Sequence, residues 1–78
     1  MKKDPWLLKL GNKIREVRKE HGFSQEAIAS EAGIDRSYMG GIERGERNIA
    51  AVNLIKIARA LNVEVGELFP SIEVFKDL

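Results

Sequence analysis

Residues 25–44 read QEAIASEAGIDRSYMGGIER, and their spacing decides the fold. Ile28, Ala29, Ala32, Ile34, Met39 and Ile42 put an apolar or small side chain wherever two tightly crossed helices would touch. Gly33 stands between the two halves, where a residue without a Cβ takes positive φ at little cost. Ser24 and Asp35 are the expected N-caps, so one helix runs from Ser24 to Gly33 and a second from Asp35 to near Gly45. Seven positions agree on a helix, a tight turn and a second helix crossing the first.

Moving outward, Asp4-Pro5 opens a helix as N-cap and first residue. Leu7, Leu10, Ile14 and Val17 carry that helix through residues 5–20, although Gly11 costs up to ~1 kcal/mol relative to Ala and invites a start only after it. Downstream, residues 46–50 form a loop, and a fourth helix spans about 51–61 with Leu54, Ile57, Ala58 and Leu61 on one face. After a break at Asn62, a fifth helix covers about 64–69 and stops at Pro70. The tail SIEVFKDL holds more apolar residues than a solvated terminus needs and should pack. Its alternation at Ile72 and Val74 suits a short strand, and a helical turn is equally permitted. The expected architecture is all-α: one domain over 1–78, with a five-helix core at 5–69 and the tail at 70–78.

A chain of 78 residues hides only ~60–65% of the surface its unfolded form exposes, so self-association would help it. Cysteine is absent, which excludes a disulfide framework or thiolate metal site and fits a reducing interior. The apolar stretch after the N-terminal lysines is broken by Lys9 and Gly11, so no export signal is expected, and no run approaches membrane-spanning length. The net charge of +1 is unevenly spread, with residues 1–20 carrying +4, residues 21–50 carrying −2 and residues 51–78 carrying −1. A nucleic-acid binder of this kind would rely on placed contacts more than on bulk attraction.

Catalysis is not expected. The single histidine, His21, precedes a helix-ending glycine, where imidazole helps satisfy terminal carbonyls. No metal-ligand set, phosphate loop or nucleophile motif accompanies it, and no cofactor or small-molecule ligand is implied.

The stretch LGNKIREVRKEHGFSQEAIASEAGIDRSYMGGIERGERNIAAVNLIKIARALNVEVGELF resembles the Xre or phage-repressor-like helix-turn-helix family over nearly all of residues 10–69. IDRSYMGGIERGERN, followed by a helix ending in IARALNV, is similar to the controller proteins of restriction–modification systems. The resemblance implies five helices, a cytoplasmic homodimer, and a near-palindromic double-stranded DNA operator in bacterial or phage DNA.

In that geometry the start of the third helix enters the major groove, where each base pair shows a distinct donor and acceptor pattern. The expected base-reading positions are Arg36, Ser37, Tyr38 and Gly41. Arg36 can bond O6 and N7 of guanine with both arms of its guanidinium. Tyr38 could stack on a base, lie along the sugar-phosphate backbone, or cover the neighbouring helix. Gly40-Gly41 lowers helix propensity by ~2 kcal/mol, which a close approach to DNA would offset. Relatives of the phage type often carry a polar reader at the position of Gly41, and this chain has none. Expected phosphate contacts are Gln25 at the start of the second helix, with Arg44, Arg47 and Asn48 after the third; Arg47 could also reach a base. Arg15, Arg18 and Lys19 are read as solvated charges. Glu43, unfavourable near a helix C-terminus, needs a basic partner, for which Arg15 and Arg18 qualify.

Val65, Leu68, Phe69, Ile72, Val74, Phe75 and Leu78 are the candidate dimer surface, with packing against the first helix as the competing use. RNA polymerase is a further candidate partner of the bound regulator. An antitoxin that binds a toxin protein, or an adaptor that has lost DNA reading, would share this framework.

Overall fold

In the computed structural model, residues 3–78 are described, and they form four α-helices followed by two short 3-10 turns. The helices are α1 (Pro5–Glu20), α2 (Gln25–Ala32), α3 (Arg36–Glu43) and α4 (Ala51–Leu61). The starts of the first three follow from their caps. The Asp4 carboxylate accepts from Trp6 N–H at 2.8 Å, the Ser24 hydroxyl from Ala27 N–H at 3.0 Å, and the Asp35 carboxylate from Ser37 N–H at 2.9 Å.

Their ends share one device as well. At the close of α2, Ile34 N–H donates to Ala29 C=O at 2.9 Å and Gly33 N–H to Ser30 C=O at 3.2 Å, with Gly33 left-handed at φ 72°. The same pair of bonds closes α1 through Phe23 and Gly22, α3 through Glu46 and Gly45, and α4 through Val63 and Asn62. This closure lets the chain reverse between α2 and α3 in three residues, Gly33 to Asp35.

The core forms where the four helices meet. Ile14 from α1, Ile28 from α2, Met39 and Ile42 from α3, Ile57 from α4 and Leu68 beyond it are fully buried. Ala29, Ala32, Leu54, Ala58 and Leu61 join them, and Ile34 packs against their edge. Small residues on α2 keep the α2–α3 crossing close. Gly11 does the same for α1 against α3: a Cβ there would run into the Ile42 carbonyl oxygen and lie 2.8 Å from that of Glu43. The α1 helix therefore starts at Pro5 and runs through Gly11, and the close crossing offsets what the glycine loses in propensity.

The expected fifth α-helix is instead a single 3-10 turn, Val65–Leu68. Glu64 N–H donates to the Glu67 carboxylate at 2.7 Å in a reciprocal cap, but Phe69 is already extended (φ −99°, ψ 140°) ahead of Pro70. With only five residues between the cap and the proline, the last of them extended, there is no room for α-helical continuation. The tail is likewise a 3-10 turn, Ile72–Phe75, which settles the choice between strand and helical turn. It folds back onto α1, where Phe75 stacks on Trp6 with ring centroids 5.7 Å apart and planes 10° from parallel.

Candidate nucleic-acid interface

The start of α3 is held as a pedestal. Asp35 accepts from both Ser37 N–H and Tyr38 N–H, so the first turn is satisfied internally and its side chains are left to face outward. Arg36 and Ser37 are exposed there. Among the described residues Arg36 makes no ion pair, and it borders an open cleft of about 670 Å³ shared with Ser24, Gln25, Glu26, Ala27 and Ser30. A guanidinium in this position keeps its whole donor fork for an incoming group.

Tyr38 is half-buried, with its ring against the core edge. Its hydroxyl oxygen accepts from Asn53 Nδ2 at 3.2 Å, which ties α3 to the first turn of α4. Of the three open readings of Tyr38, this geometry supplies the cover over the neighbouring helix. Asn53 was missed by the sequence reading; its signal was a lone polar side chain in the apolar start of α4.

A buried ionic cluster sets the position of α3 against α1 and α2. Arg18 Nε donates to Glu43 Oε2 at 2.7 Å and its Nη2 to Oε1 at 2.9 Å, with the two side chains 8% and 3% exposed. Arg18 Nη1 also donates to Phe23 C=O at 2.7 Å, and Gln25 Nε2 donates to Glu43 Oε1 at 3.1 Å. Hydrogen bonding to Glu43 raises the Arg18 pKa above its ordinary value against the opposing effect of burial. Glu43 thus takes Arg18, not Arg15, as its partner, and Arg18 is a scaffold residue where a solvated charge was expected.

The expected phosphate contacts sort into two groups. Gln25, on the first turn of α2, spends one N–H on Glu43 and lines a recess of about 260 Å³ with Arg15, Arg18, Glu43 and Arg44. Arg44, exposed, donates from Nε to Glu46 Oε1 at 3.1 Å, and this bond holds the Glu46 carboxyl below its ordinary pKa, with Lys3 assisting at 3.4 Å. Arg47 and Asn48 are exposed in the loop before α4. Arg47 makes no ion pair among the described residues.

Gly41 itself is buried, and what covers it is the Arg47 side chain. A Cβ at Gly41 would lie 2.8 Å from Arg47 Cγ, so the Arg47 side chain shares the place on α3 expected to meet the bases at Gly41.

The proposed dimer surface also divides. Leu68 is fully buried in the chain's own core and offers nothing to a partner, which corrects its inclusion. Val65 and Phe75 are half-buried, Val65 against the core and Phe75 under Trp6. Phe69, Ile72, Val74 and Leu78 remain exposed, and Phe69 and Ile72 line an apolar groove with Trp6, Leu7, Leu10 and Phe75. Val52 and Ile55 are also exposed, at 61% and 55%, on the outer face of α4. The periodicity of Leu54, Ile57, Ala58 and Leu61 marks only the inward face of that helix and leaves these two unassigned.

The family model for helix-turn-helix proteins matches residues 14–68. The control protein C.MunI of Mycoplasma is 43% identical over 67 residues, covering 85% of this chain and 90% of the relative. Among solved structures, the restriction–modification controller protein C.AhdI from Aeromonas hydrophila is 52% identical with a TM-score of 0.79, over 81% of this chain and 96% of that one. The biofilm regulator SinR, solved in complex with DNA, is 37% identical with a TM-score of 0.72, over 76% of this chain and 95% of that one. The chain therefore belongs to the helix-turn-helix family of Xre-like DNA-binding transcription regulators and, within it, is similar to the controller proteins of restriction–modification systems.

Proposed function

We propose that the chain acts as a homodimer on a near-palindromic operator and controls a restriction–modification operon. The observation that carries this reading is Arg36, exposed at the capped start of α3 and with no ion pair among the described residues. One such helix covers a few base pairs, so useful specificity asks for a second copy about one DNA turn away, ~34–36 Å. Arg36 and Ser37 read base edges. Gln25, Arg44 and Asn48 meet the flanking backbone, Arg47 reaches from the loop toward the bases, and Tyr38 borders the groove beside them. The exposed apolar residues Val52, Ile55, Phe69, Ile72, Val74 and Leu78 supply area for the two-fold contact. RNA polymerase would be engaged by the bound dimer at the nucleoid.

The test is selection of binding sites from random duplex DNA at near-physiological salt, with sedimentation of the free and bound protein. The reading expects a two-fold symmetric motif bound by two chains. A folded protein that enriches no motif would favour an antitoxin or adaptor instead.

A further inference from the structure

Gly40 and Gly41 stand one helical turn beyond Arg36 and Ser37, so all four residues lie on the same outward stripe of α3. Both glycines are nevertheless buried, and the atoms nearest to a Cβ built on them belong to polar side chains, not to the core. At Gly40 they are Arg44 Nη1 at 2.9 Å and Gln25 Oε1 at 3.2 Å; at Gly41 they are Arg47 Cγ at 2.8 Å and Nε at 3.5 Å. At Gly11 the corresponding neighbours are backbone. The two glycines thus clear a saddle on the reading face, across which lie the guanidinium of Arg44 from the end of the helix and the stem of Arg47 from the loop beyond.

We infer that Gly41 determines specificity by position: it lets Arg47 lie across α3, so that this loop residue supplies the base-reading side chain that α3 itself lacks there. A Cβ at 41 falls inside van der Waals contact of a mid-stem carbon, and Arg47, exposed and without an ion pair among the described residues, is the group that must move. The guanidinium is then swung off the stripe defined by Arg36 and Ser37, and its contact is lost while the helix gains a better helix former. This inference rests on the DNA-reading role of α3, and the wild-type protein's preference for its selected site over scrambled duplex tests that role separately.

The experiment is a double-mutant cycle of Gly41→Ala and Arg47→Ala, with affinity read by fluorescence anisotropy on selected and scrambled duplexes and fold read by thermal unfolding. Gly41→Ala is expected to keep or raise the unfolding midpoint while losing about ten-fold in affinity per half-site of the selected site, the scale of one good base contact. In the Arg47→Ala background the same substitution is expected to cost nothing further. An equal loss in both backgrounds overturns the inference, because it places the methyl group against DNA and not against Arg47. Unchanged affinity or an unfolded Gly41→Ala protein overturns it too, the latter because the neighbours to be displaced would then include the core.

Discussion

Arg18 on α1 and Glu43 on α3 form a bidentate pair inside the protein, at 2.7 and 2.9 Å, and Gln25 on α2 closes on the same carboxylate. One buried acid therefore indexes the recognition helix against both other helices that carry the interface. Taking two charges out of water is costly, so the pair fixes position more than it adds stability. Arg18→Ala is expected to destabilise by about 3–5 kcal/mol through the unpaired carboxylate left behind, whereas joint replacement, Arg18→Met with Glu43→Leu, should recover most of that loss. Urea unfolding of the single and double variants measures both. A double variant that is as unstable as Arg18→Ala would contradict the account.

Gly11→Ala separates a backbone contact from a propensity effect. The methyl group gains ~1 kcal/mol in helix propensity but meets fixed carbonyl groups of α3, and overpacking of that kind costs about 3 kcal/mol when neither side can rotate away. The net expected loss is about 2 kcal/mol in chemical denaturation, opposite in sign to the change expected at Gly41.

Leu68 and Ile72 are four residues apart and should behave oppositely. Leu68 is fully buried while Ile72 is 67% exposed. Leu68→Ala is expected to cost about 2–5 kcal/mol of stability. Ile72→Ser should leave the unfolding midpoint of the dilute protein nearly unchanged and weaken self-association in sedimentation equilibrium. Large destabilisation of the dilute protein by Ile72→Ser would place that side chain in the core.

Glu46 reports on the Arg44 contact. Its pKa is lowered first by the Arg44 hydrogen bond and then by Lys3, so the interaction is present above the ordinary carboxylate pKa and is lost as the pH falls through the lowered value. Both groups are exposed, and the effect on stability is correspondingly small. An NMR titration of the Glu46 carboxyl should show a midpoint below the usual range that moves up in Arg44→Ala.

The first four helices were legible because three of them begin at a capping side chain, the fourth carries an apolar face at helical spacing, and all four end beside a residue able to go left-handed. The fifth was misread as α because a reciprocal cap at Glu64 and Glu67 looks the same at the start of a 3-10 turn; only its length before Pro70 distinguishes the two. At the interface, Arg36 and Ser37 follow from the position of the Asp35 cap. Three other features depend on contacts between elements, which periodicity does not encode. The choice of Arg18 over Arg15 turns on which side of α1 faces Glu43, and the Tyr38–Asn53 bond spans two helices. The third is the cover of Gly40-Gly41, which needs the path of the loop that returns Arg47 over α3. Val52 and Ile55 were visible as apolar letters, but their outward direction is a tertiary fact.

The central claim is that the start of α3 reads bases while Arg44 supplies sequence-independent attraction. The most direct test compares Arg36→Ala and Arg44→Ala on the selected site, its single-base variants and scrambled duplex across a salt series. Arg36→Ala is expected to lose about 1–3 kcal/mol of discrimination per half-site at the base pair it reads, and Arg44→Ala to weaken all duplexes alike and to lower the salt slope by about one per half-site. If both variants lose affinity uniformly, with the base preference of the wild type intact, α3 does not read the sequence through Arg36.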